Sequence, residues 1–552
     1  MNIFHSAVAV LLGLGTVAFG ASPNFVGCEP RGGQLGTTLD VKLTGSQLWD
    51  AEEILFHESG IRCLEVKPDE KGGRSVMVKF EITKDAALGE HSLRIRTKSG
   101  VSYARRFWVS AFPNVLENGK NNSFDSPQEV AMNVTIDGVT KPETVDYFAV
   151  KGKKGQVLSV EVEGIRVNSS RGRLGIDPAV SVLNSERFEL ASSDDTALLQ
   201  QDCFVSLVLP KDDQYVIVVR DASYQGNGRY RAHVGSFPRP TAVYPAGGMA
   251  GKKQKVRLLG GAEGSYEAEV SLPKDGKTFA LHAAKRGLRP PSPNTLRISP
   301  YPNVLENEEK NDSFKTLEKS SGRLPLAFNG VLQEEGDLDY FRFTAKKGEK
   351  FRFRCLAKAL KSPVDPVMHI FDAKGKSLKS SDDADGSADS RIDFQAPSDG
   401  DYFVRVMDHL NRGGEDFVYR VEPEGSQPSL VISMPEFQRF DNQFRKAMSV
   451  PQGGRFAALV NATRRNAKSE VRLEVKGMPE GVVLKADVFP TNVTQFPVVF
   501  EAKKDAPLGG ALASLWGHGK HGDTPLSSKY THKVDWVRSN PVNTLYYETE
   551  LD

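Results

Sequence analysis

A long internal duplication constrains this chain more than any other feature. Residues 112–124 read FPNVLENGKNNSF, and residues 301–314 read YPNVLENEEKNDSF. The similarity continues downstream, where TVDYFAVKGKK at 144–154 matches DLDYFRFTAKK at 337–347. The offset between the copies changes only from 189 to 193 residues. An offset that stays so nearly constant indicates a duplicated domain.

A smaller unit precedes each copy of the repeat. PRGGQLG at 30–36 and PAGGMAG at 245–251 match at an offset of 215 residues. We therefore expect a pair of unlike domains, one small and one larger, to occur twice.

Short alternating strands dominate the sequence between these motifs. Leu39, Val41 and Leu43 alternate with polar neighbours, and no long window has helical periodicity. With 50 Gly and 31 Pro scattered along 552 residues, turns are frequent. At about 100–150 residues per domain, the length predicts about four or five domains. The predicted fold class is all-β, a multidomain chain of jelly-roll and immunoglobulin-like β-sandwiches.

Five domains are predicted after an N-terminal leader. The segment 425–552 has no clear closing strand, and its completeness stays open. The predicted boundaries are 1–20 for the leader, 21–111 and 237–300 for the small immunoglobulin-like domains, 112–236 and 301–424 for the repeats, and 425–552 for a C-terminal immunoglobulin-like region.

The leader has the pattern of an export signal. Residues 7–19 form an apolar run that is too short to span a bilayer, and Ala18-Phe19-Gly20 is a small-x-small cleavage pattern. We expect cleavage near Ala21 and a secreted, periplasmic or cell-envelope location. An N-terminal strand or buried helix, or lipidation at Cys28, remain the alternatives. No later stretch has the length and apolarity of a transmembrane helix.

The four cysteines are spread over three of the predicted domains. Cys28 and Cys63 fall in one domain, so an exported chain can oxidise them to a disulfide. Cys203 and Cys355 each lie in an apolar strand-like run and are predicted to be buried thiols. No Cys/His cluster has the spacing of a structural zinc site.

Charge and motifs exclude several functions. The net charge is +2 without a basic stripe, which argues against nucleic-acid binding. The sequence contains no HExxH, GxSxG or Walker motif, so catalysis is not expected. The four tryptophans, at 49, 108, 516 and 536, are either core residues or platforms for sugar binding, and core is favoured.

The duplicated unit resembles the bacterial pre-peptidase C-terminal (PPC) domain, a jelly-roll β-sandwich of exported bacterial proteins. The resemblance rests on the Asn/Asp-rich entry at 306–312, GDLDYF at 336–341, KKG at 346–348, SSDD at 380–383 and SDGDY at 398–402. The small units resemble TIG domains. Their alternation with PPC-like repeats is similar to large exported proteins of planctomycete-type bacteria. The resemblance implies a mostly non-catalytic appendage, and related collagen-binding domains bind calcium.

Carrying that calcium pattern over predicts one oxygen-rich cluster in each repeat. Ca²⁺ takes six to eight oxygen ligands on irregular backbone. The alternative is that these acids and amides are solvated turn residues. The second repeat has the fuller set, and a weaker site, or none, is expected in the first. The candidates are Glu306, Glu308, Asn311, Asp312, Asp337 and Asp339 in the second repeat, and Glu117, Asn121, Asn122 and Asp146 in the first.

The sequence is therefore consistent with three functions. The favoured one is a non-catalytic binding or scaffold protein outside the cell or in its envelope, with a protein or a polysaccharide as partner. The second is an accessory region of a secreted peptidase or other hydrolase whose catalytic domain lies elsewhere. The third is a carbohydrate-binding module.

Overall fold

The structure is a computed structural model, and nearly all of its regular structure is β-strand. It describes residues 22–172, 175–306, 311–315, 317, 322–384, 386–424, 428–436, 443, 446–539 and 545–551. Within these residues the one helical element is a 3-10 turn at Lys358–Leu360. The all-β prediction is confirmed. The export signal at 1–20 and its cleavage near Ala21 lie outside the described residues. No helix in the described part of the chain has the length and apolarity needed to cross a membrane.

Nine strands form two sheets with a common core in the first part of the chain. Their orders are β1-β3-β6-β5 and β2-β9-β7-β4, with β8 beside β7. In β6, Val76, Val78 and Phe80 point inward while their neighbours face outward, as a half-buried strand requires. The strands are β1 (Asn24–Glu29), β2 (Gly32–Gln34), β3 (Thr38–Ser46), β4 (Ala51–Phe56), β5 (Ile61–Pro68), β6 (Ser75–Ile82), β7 (Gly89–Thr97), β8 (Gly100–Val101) and β9 (Arg105–Ser110).

The first repeat forms two five-stranded sheets, with the orders β10-β12-β20-β14-β18 and β11-β13-β19-β16-β17. Every residue of β14 is buried, so this strand is covered on both faces. The strands are β10 (Asn114–Leu116), β11 (Gln128–Glu129), β12 (Val134–Val139), β13 (Val145–Gly152), β14 (Val157–Glu163), β15 (Ser170–Gly172), β16 (Pro178–Leu183), β17 (Glu189–Ser193), β18 (Cys203–Val208), β19 (Asp213–Asp221) and β20 (Arg229–Gly235).

The second small unit has two three-stranded sheets, β21-β23-β24 and β22-β26-β25. Val256, Leu258 and Leu296 lie in its core. The strands are β21 (Ala242–Tyr244), β22 (Gly247–Met249), β23 (Lys253–Leu259), β24 (Tyr266–Ser271), β25 (Thr278–Leu281) and β26 (Asn294–Ser299).

The second repeat has the strand order of the first, without a counterpart of β11 among its described residues. Its sheets have the orders β27-β28-β35-β30-β33 and β29-β34-β31-β32. Aromatic rings fill the space between them, with Phe328 stacked on Phe341 at 4.9 Å between centroids. The strands are β27 (Asn303–Leu305), β28 (Ala327–Val331), β29 (Asp339–Ala345), β30 (Lys350–Leu356), β31 (Pro366–Asp372), β32 (Ser377–Ser381), β33 (Arg391–Gln395), β34 (Gly400–Asp408) and β35 (Val418–Glu424).

The C-terminal region forms a further pair of sheets, β36-β37-β40-β39 and β38-β41-β42. Ile432, Val460 and Val498 lie in its core. The strands are β36 (Ser429–Ser433), β37 (Arg455–Arg465), β38 (Arg472–Lys476), β39 (Val482–Lys485), β40 (Gln495–Ala502), β41 (Ser514–His521), β42 (Thr524–Lys529), β43 (His532–Ser539) and β44 (Leu545–Leu551).

The last two strands leave this region and join the first repeat. β43 pairs in parallel with β15, and β44 pairs with β43. The guanidinium of Arg106 lies 4.3 Å from the ring centre of Trp536, and Tyr547 donates a 2.8 Å hydrogen bond to Glu90. The C-terminal hairpin therefore contacts both the first small unit and the first repeat, although the sequence showed no clear closing strand there.

The junction between small unit and repeat is duplicated as well. The Asn114 amide donates to the Gly32 carbonyl at 2.7 Å, and the Asn303 amide donates to the Gly247 carbonyl at 2.9 Å. Gly32 and Gly247 are related by the offset of the small units, and Asn114 and Asn303 by the offset of the repeats. Each small unit thus contacts the repeat that follows it in the same way.

The predicted Cys28–Cys63 disulfide is absent, and both thiols are free. Cys28 lies in β1 and Cys63 in β5, at opposite edges of the sheet β1-β3-β6-β5. Strands are about 4.8 Å apart, so three spacings separate the two by about 14 Å. A disulfide requires Cα atoms within about 7 Å. Cys203 and Cys355 are buried free thiols, as predicted.

Candidate functional site

The entry segment of the second repeat brings polar side chains against the start of β29. β27 pairs in parallel with β28, which places the Glu306 carboxylate where it accepts a 2.9 Å hydrogen bond from the Val331 amide. Further along the chain, the backbone carbonyl of Asn311 accepts a 2.9 Å hydrogen bond from the Tyr340 backbone amide. These two bonds from backbone amides place Glu306 and Asn311 close to Asp339.

Asp339 is the centre of this cluster. It is 2% exposed and lies at the first position of β29. The Asn311 amide donates to its Oδ1 at 2.5 Å, and the Tyr419 hydroxyl donates to its Oδ2 at 2.7 Å. A hydrogen bond also joins the Asp339 and Glu306 carboxyl groups. We call Glu306, Asn311, Asp339 and Tyr419 the second carboxyl cluster.

The electrostatics of this cluster favour a proton or a cation beside Asp339. Burial raises the pKa of Asp339 from 3.8 to about 7, and the nearby Asp337 carboxylate adds to the shift. A buried charge is costly unless it is neutralised. At neutral pH, two carboxyl groups in contact therefore share a proton or bind a positive ion.

The first repeat builds the same cluster from equivalent residues. Glu117 accepts a 2.8 Å bond from the Val139 amide, and the Tyr230 hydroxyl donates to Asp146 at 2.9 Å. Burial, followed by the charge of Glu117, raises the pKa of Asp146 to about 7. We call Glu117, Asn121, Asp146 and Tyr230 the first carboxyl cluster.

The side chain of Asn121 is the least satisfied polar group of the first carboxyl cluster. The backbone carbonyl of Asn121 accepts a 2.7 Å hydrogen bond from the Tyr147 backbone amide, which holds Asn121 next to Asp146. The side chain is buried at 1% exposure, and neither of its amide atoms has a hydrogen-bond partner. Leaving a buried amide unpaired costs about 1–3 kcal/mol. Such a group calls for a partner that the protein atoms do not supply.

The remaining predicted calcium ligands lie outside the two carboxyl clusters or outside the described residues. Asp337 is half-buried, and the nearby Asp312 raises its pKa after burial, the larger cause. Its Oδ2 accepts a 2.6 Å bond from the Gln333 amide. Asp312 and Asn122 are exposed. Glu308 lies outside the described residues.

The tyrosines of both clusters were not predicted from the sequence. Tyr230 follows Asp146 by 84 residues and Tyr419 follows Asp339 by 80 residues, and each tyrosine lies on the facing sheet of its repeat. A signal was nevertheless present, because Tyr230-Arg231 and Tyr419-Arg420 recur at the repeat's offset of 189 residues.

The described residues contain no group of three or more His, Cys, Asp and Glu side chains placed to hold a metal ion. The oxygen donors of each carboxyl cluster are two carboxyl groups and one amide. A Ca²⁺ ion there would need backbone carbonyls or water to reach six ligands. The donor chemistry fits calcium, because all of these donors are oxygen atoms.

The tryptophans are mostly structural. Trp108 and Trp536 are buried, as the core interpretation predicted, whereas Trp516 is half-buried and Trp49 is 46% exposed. Lys476 lies over the Trp516 ring at 5.7 Å. The described residues thus offer no row of exposed indoles to a polysaccharide.

Comparison with known proteins identifies one segment. Residues 337–407 match the family model described as the bacterial pre-peptidase C-terminal domain. No curated protein matches the chain.

Solved structures provide a second comparison. The pre-peptidase C-terminal domain of a Bacillus anthracis collagenase is 15% identical, with 21% of this chain and 99% of that chain covered and a TM-score of 0.17. The M60 catalytic domain of Clostridium perfringens ZmpB with its two CBM51 domains is 9% identical, with 72% and 53% covered and a TM-score of 0.13. A periplasmic inhibitor of g-type lysozyme from Aeromonas hydrophila is 13% identical, with 20% and 97% covered and a TM-score of 0.15. The family match at residues 337–407 therefore identifies this segment as similar to the bacterial pre-peptidase C-terminal domain, and it includes Asp339 of the second carboxyl cluster.

Proposed function

We propose that this chain is a non-catalytic, exported binding or scaffold protein in which calcium at the carboxyl clusters holds each repeat's entry segment on its sandwich. The partner is an extracellular protein or polysaccharide. The architecture is two PPC-like domains that alternate with TIG-like domains. The PPC match at 337–407 and the shared strand order of the repeats support this architecture. The apolar run at 7–19 supports export.

The unpartnered Asn121 amide carries the calcium proposal. The Asn121 backbone accepts a bond from Tyr147, the residue after Asp146, whose pKa is raised to about 7. A divalent cation would replace the shared proton and take the amide oxygen as a ligand. The second carboxyl cluster has the same residue types, and Asp337 adds negative charge near it. We therefore expect tighter binding in the second repeat.

An accessory region of a secreted hydrolase is the second candidate. The description of the matched family, a domain C-terminal to a peptidase precursor, favours it. The two candidates differ in whether a catalytic domain belongs to the same polypeptide. Sequencing the reading frame on both sides of these residues distinguishes them, since a nucleophile or zinc motif in frame would support the hydrolase.

Calcium titration of the whole chain tests the first candidate. Isothermal calorimetry should show binding that is lost in part in Asp339→Asn, in part in Asp146→Asn, and fully in the double variant. At 100 times the dissociation constant, calcium should stabilise each repeat by about 2.7 kcal/mol. That corresponds to an increase in melting temperature of about 10 °C for a domain of this size.

The matched control is Asp382→Asn, which removes an exposed acid from a turn of the second repeat. It should bind calcium as the wild type does. If neither heat nor a melting shift appears at millimolar calcium, or if the double variant still binds, the clusters hold a proton and not a metal.

A further inference from the structure

A polar cavity lies where the second repeat meets the C-terminal region. Its volume is about 430 Å³, within the range of small-molecule sites. Arginines from both bodies face it. The charged lining residues are Arg352, Arg354, Asp389, Arg391, Glu424 and Arg465.

Strand register places two of these arginines directly opposite each other. Arg354 of β30 pairs with Arg391 of β33. Like charges at opposed positions of an antiparallel pair are unfavourable. Arg465, the last residue of β37, adds a third positive charge from the C-terminal region.

The acids among the described lining residues are fewer than the arginines. The Asp389 carboxylate accepts hydrogen bonds from the amides of Ala357, Lys358 and Ala359 at 2.9, 2.7 and 3.1 Å, so it serves to hold that turn. Glu424 approaches Arg354 only to 3.7 Å. Arg352 pairs with Asp393 at 2.6 Å, outside the lining. Among the described lining residues, four arginines therefore face two acids.

In the first repeat, the positions equivalent to Arg354 and Arg391 carry no excess of positive charge. Glu161 of β14 and Phe204 of β18 are an opposed pair, at the positions that Arg354 and Arg391 occupy in the second repeat. Arg239, from the segment that follows, lies 2.7 Å from the Glu161 carboxylate and 4.8 Å from the Phe204 ring centre, and both charged groups are fully buried. In the first repeat, this face is therefore closed by a buried acid and a buried arginine.

In the second repeat, arginines line the same face from both sides. Arg354 replaces the acid, Arg391 replaces the aromatic ring, and Arg465 approaches from the next body. We propose that this cavity binds a small anionic ligand that carries two oxyanion groups, carboxylate or phosphate. Guanidinium groups bind both kinds of oxyanion through paired hydrogen bonds. The proposal does not depend on calcium binding or on the proposed function.

Calorimetry on the whole chain in calcium-free buffer tests the proposal with two probes, pyrophosphate and digalacturonate. One or both should bind, and binding should weaken as salt is raised. The double variant Arg391→Ser/Arg465→Ser should lower the affinity at least tenfold. Arg354→Glu introduces the residue type that the first repeat has at the equivalent position, Glu161. This variant should keep the fold and lose binding of both probes.

The matched control is Arg455→Ser, which removes an exposed arginine at the other end of β37. It should bind as the wild type does. Binding of pyrophosphate alone assigns a phosphate ligand, and binding of digalacturonate alone assigns a carboxylate ligand. No binding of either probe, or equal losses in the control and the cavity variants, would overturn the proposal.

Discussion

The hydroxyl of Tyr419 donates a 2.7 Å hydrogen bond to the carboxylate of Asp339 inside the second repeat. In the first repeat, Tyr230 makes the equivalent bond to Asp146 at 2.9 Å. Each bond favours the ionised form of an acid whose burial otherwise raises its pKa. The tyrosines therefore oppose the protonation of Asp339 and Asp146 that burial favours.

Substitution of Tyr419 by Phe should weaken calcium binding. Loss of the hydroxyl removes a hydrogen bond to a charged group, which costs about 1.5–3 kcal/mol. The pKa of Asp339 should rise further, and calcium affinity should fall about tenfold. Urea unfolding and calcium titration measure the two effects.

Tyr402→Phe is the control for that substitution. Tyr402 is also buried in the second repeat, and its hydroxyl donates to the Ser398 carbonyl at 2.7 Å. Its loss should lower stability without changing calcium affinity. Equal calcium affinity in Tyr419→Phe and wild type would contradict the assigned role of Tyr419.

Stability without calcium should fall as pH rises from about 4 to about 7. In this interval Asp339, whose folded pKa is about 7 against an ordinary 3.8, keeps its proton in the folded state and loses it in the unfolded state. The folded state binds more protons, so raising the pH favours unfolding. Asp146, with the same shift, acts in the same direction.

Urea midpoints between pH 5 and 8, with a chelator present, measure this dependence. The variant Asp339→Asn/Asp146→Asn should remove up to about 1.4 kcal/mol per pH unit for each acid. In calcium, affinity should rise over the same interval, because the metal displaces the proton. A variant whose pH profile equals that of the wild type would show that these acids do not titrate there.

Gly32→Ala should disrupt the first junction. A Cβ at this position would lie 2.3 Å from the Trp108 carbonyl oxygen and 2.8 Å from an Arg231 guanidinium nitrogen. Overpacking of this kind costs about 1–3 kcal/mol. At Gly27, in the neighbouring strand β1, a Cβ would meet nothing within 4 Å, so Gly27→Ala should change stability by less than about 0.5 kcal/mol. Equal melting temperatures for the two variants would be inconsistent with this packing.

All four cysteines should be free in the folded protein. Cys63 is half-buried, and burial raises its pKa to about 11, so alkylation of Cys63 should be slow at neutral pH. Cys28, whose pKa is raised to about 12 by burial, should react only after unfolding. Mass spectrometry after alkylation in denaturant should count four modified thiols. A peptide pair linked through Cys28 and Cys63 would refute the strand order given for this sheet.

Local pattern was enough to predict much of this protein. The recurrence of PNVLEN and of DYF identified the duplication, and the alternation of β-strand residues identified an all-β chain. The resemblance to the PPC domain pointed to Glu306, Asn311 and Asp339, which the structure brings into contact. These features follow from residues close in sequence or repeated at one offset, so they can be read without knowing which strands are neighbours.

Tertiary structure alone decided which strands are neighbours. Alternation shows that a segment is a strand and which face is buried, but it does not select a partner. Strand order therefore separates Cys28 from Cys63, and brings Tyr419 to Asp339 across 80 residues of sequence. It also places Arg354 against Arg391. The sequence by itself determined the repeated sandwiches and their acids, whereas long-range pairing determined the groups that surround those acids.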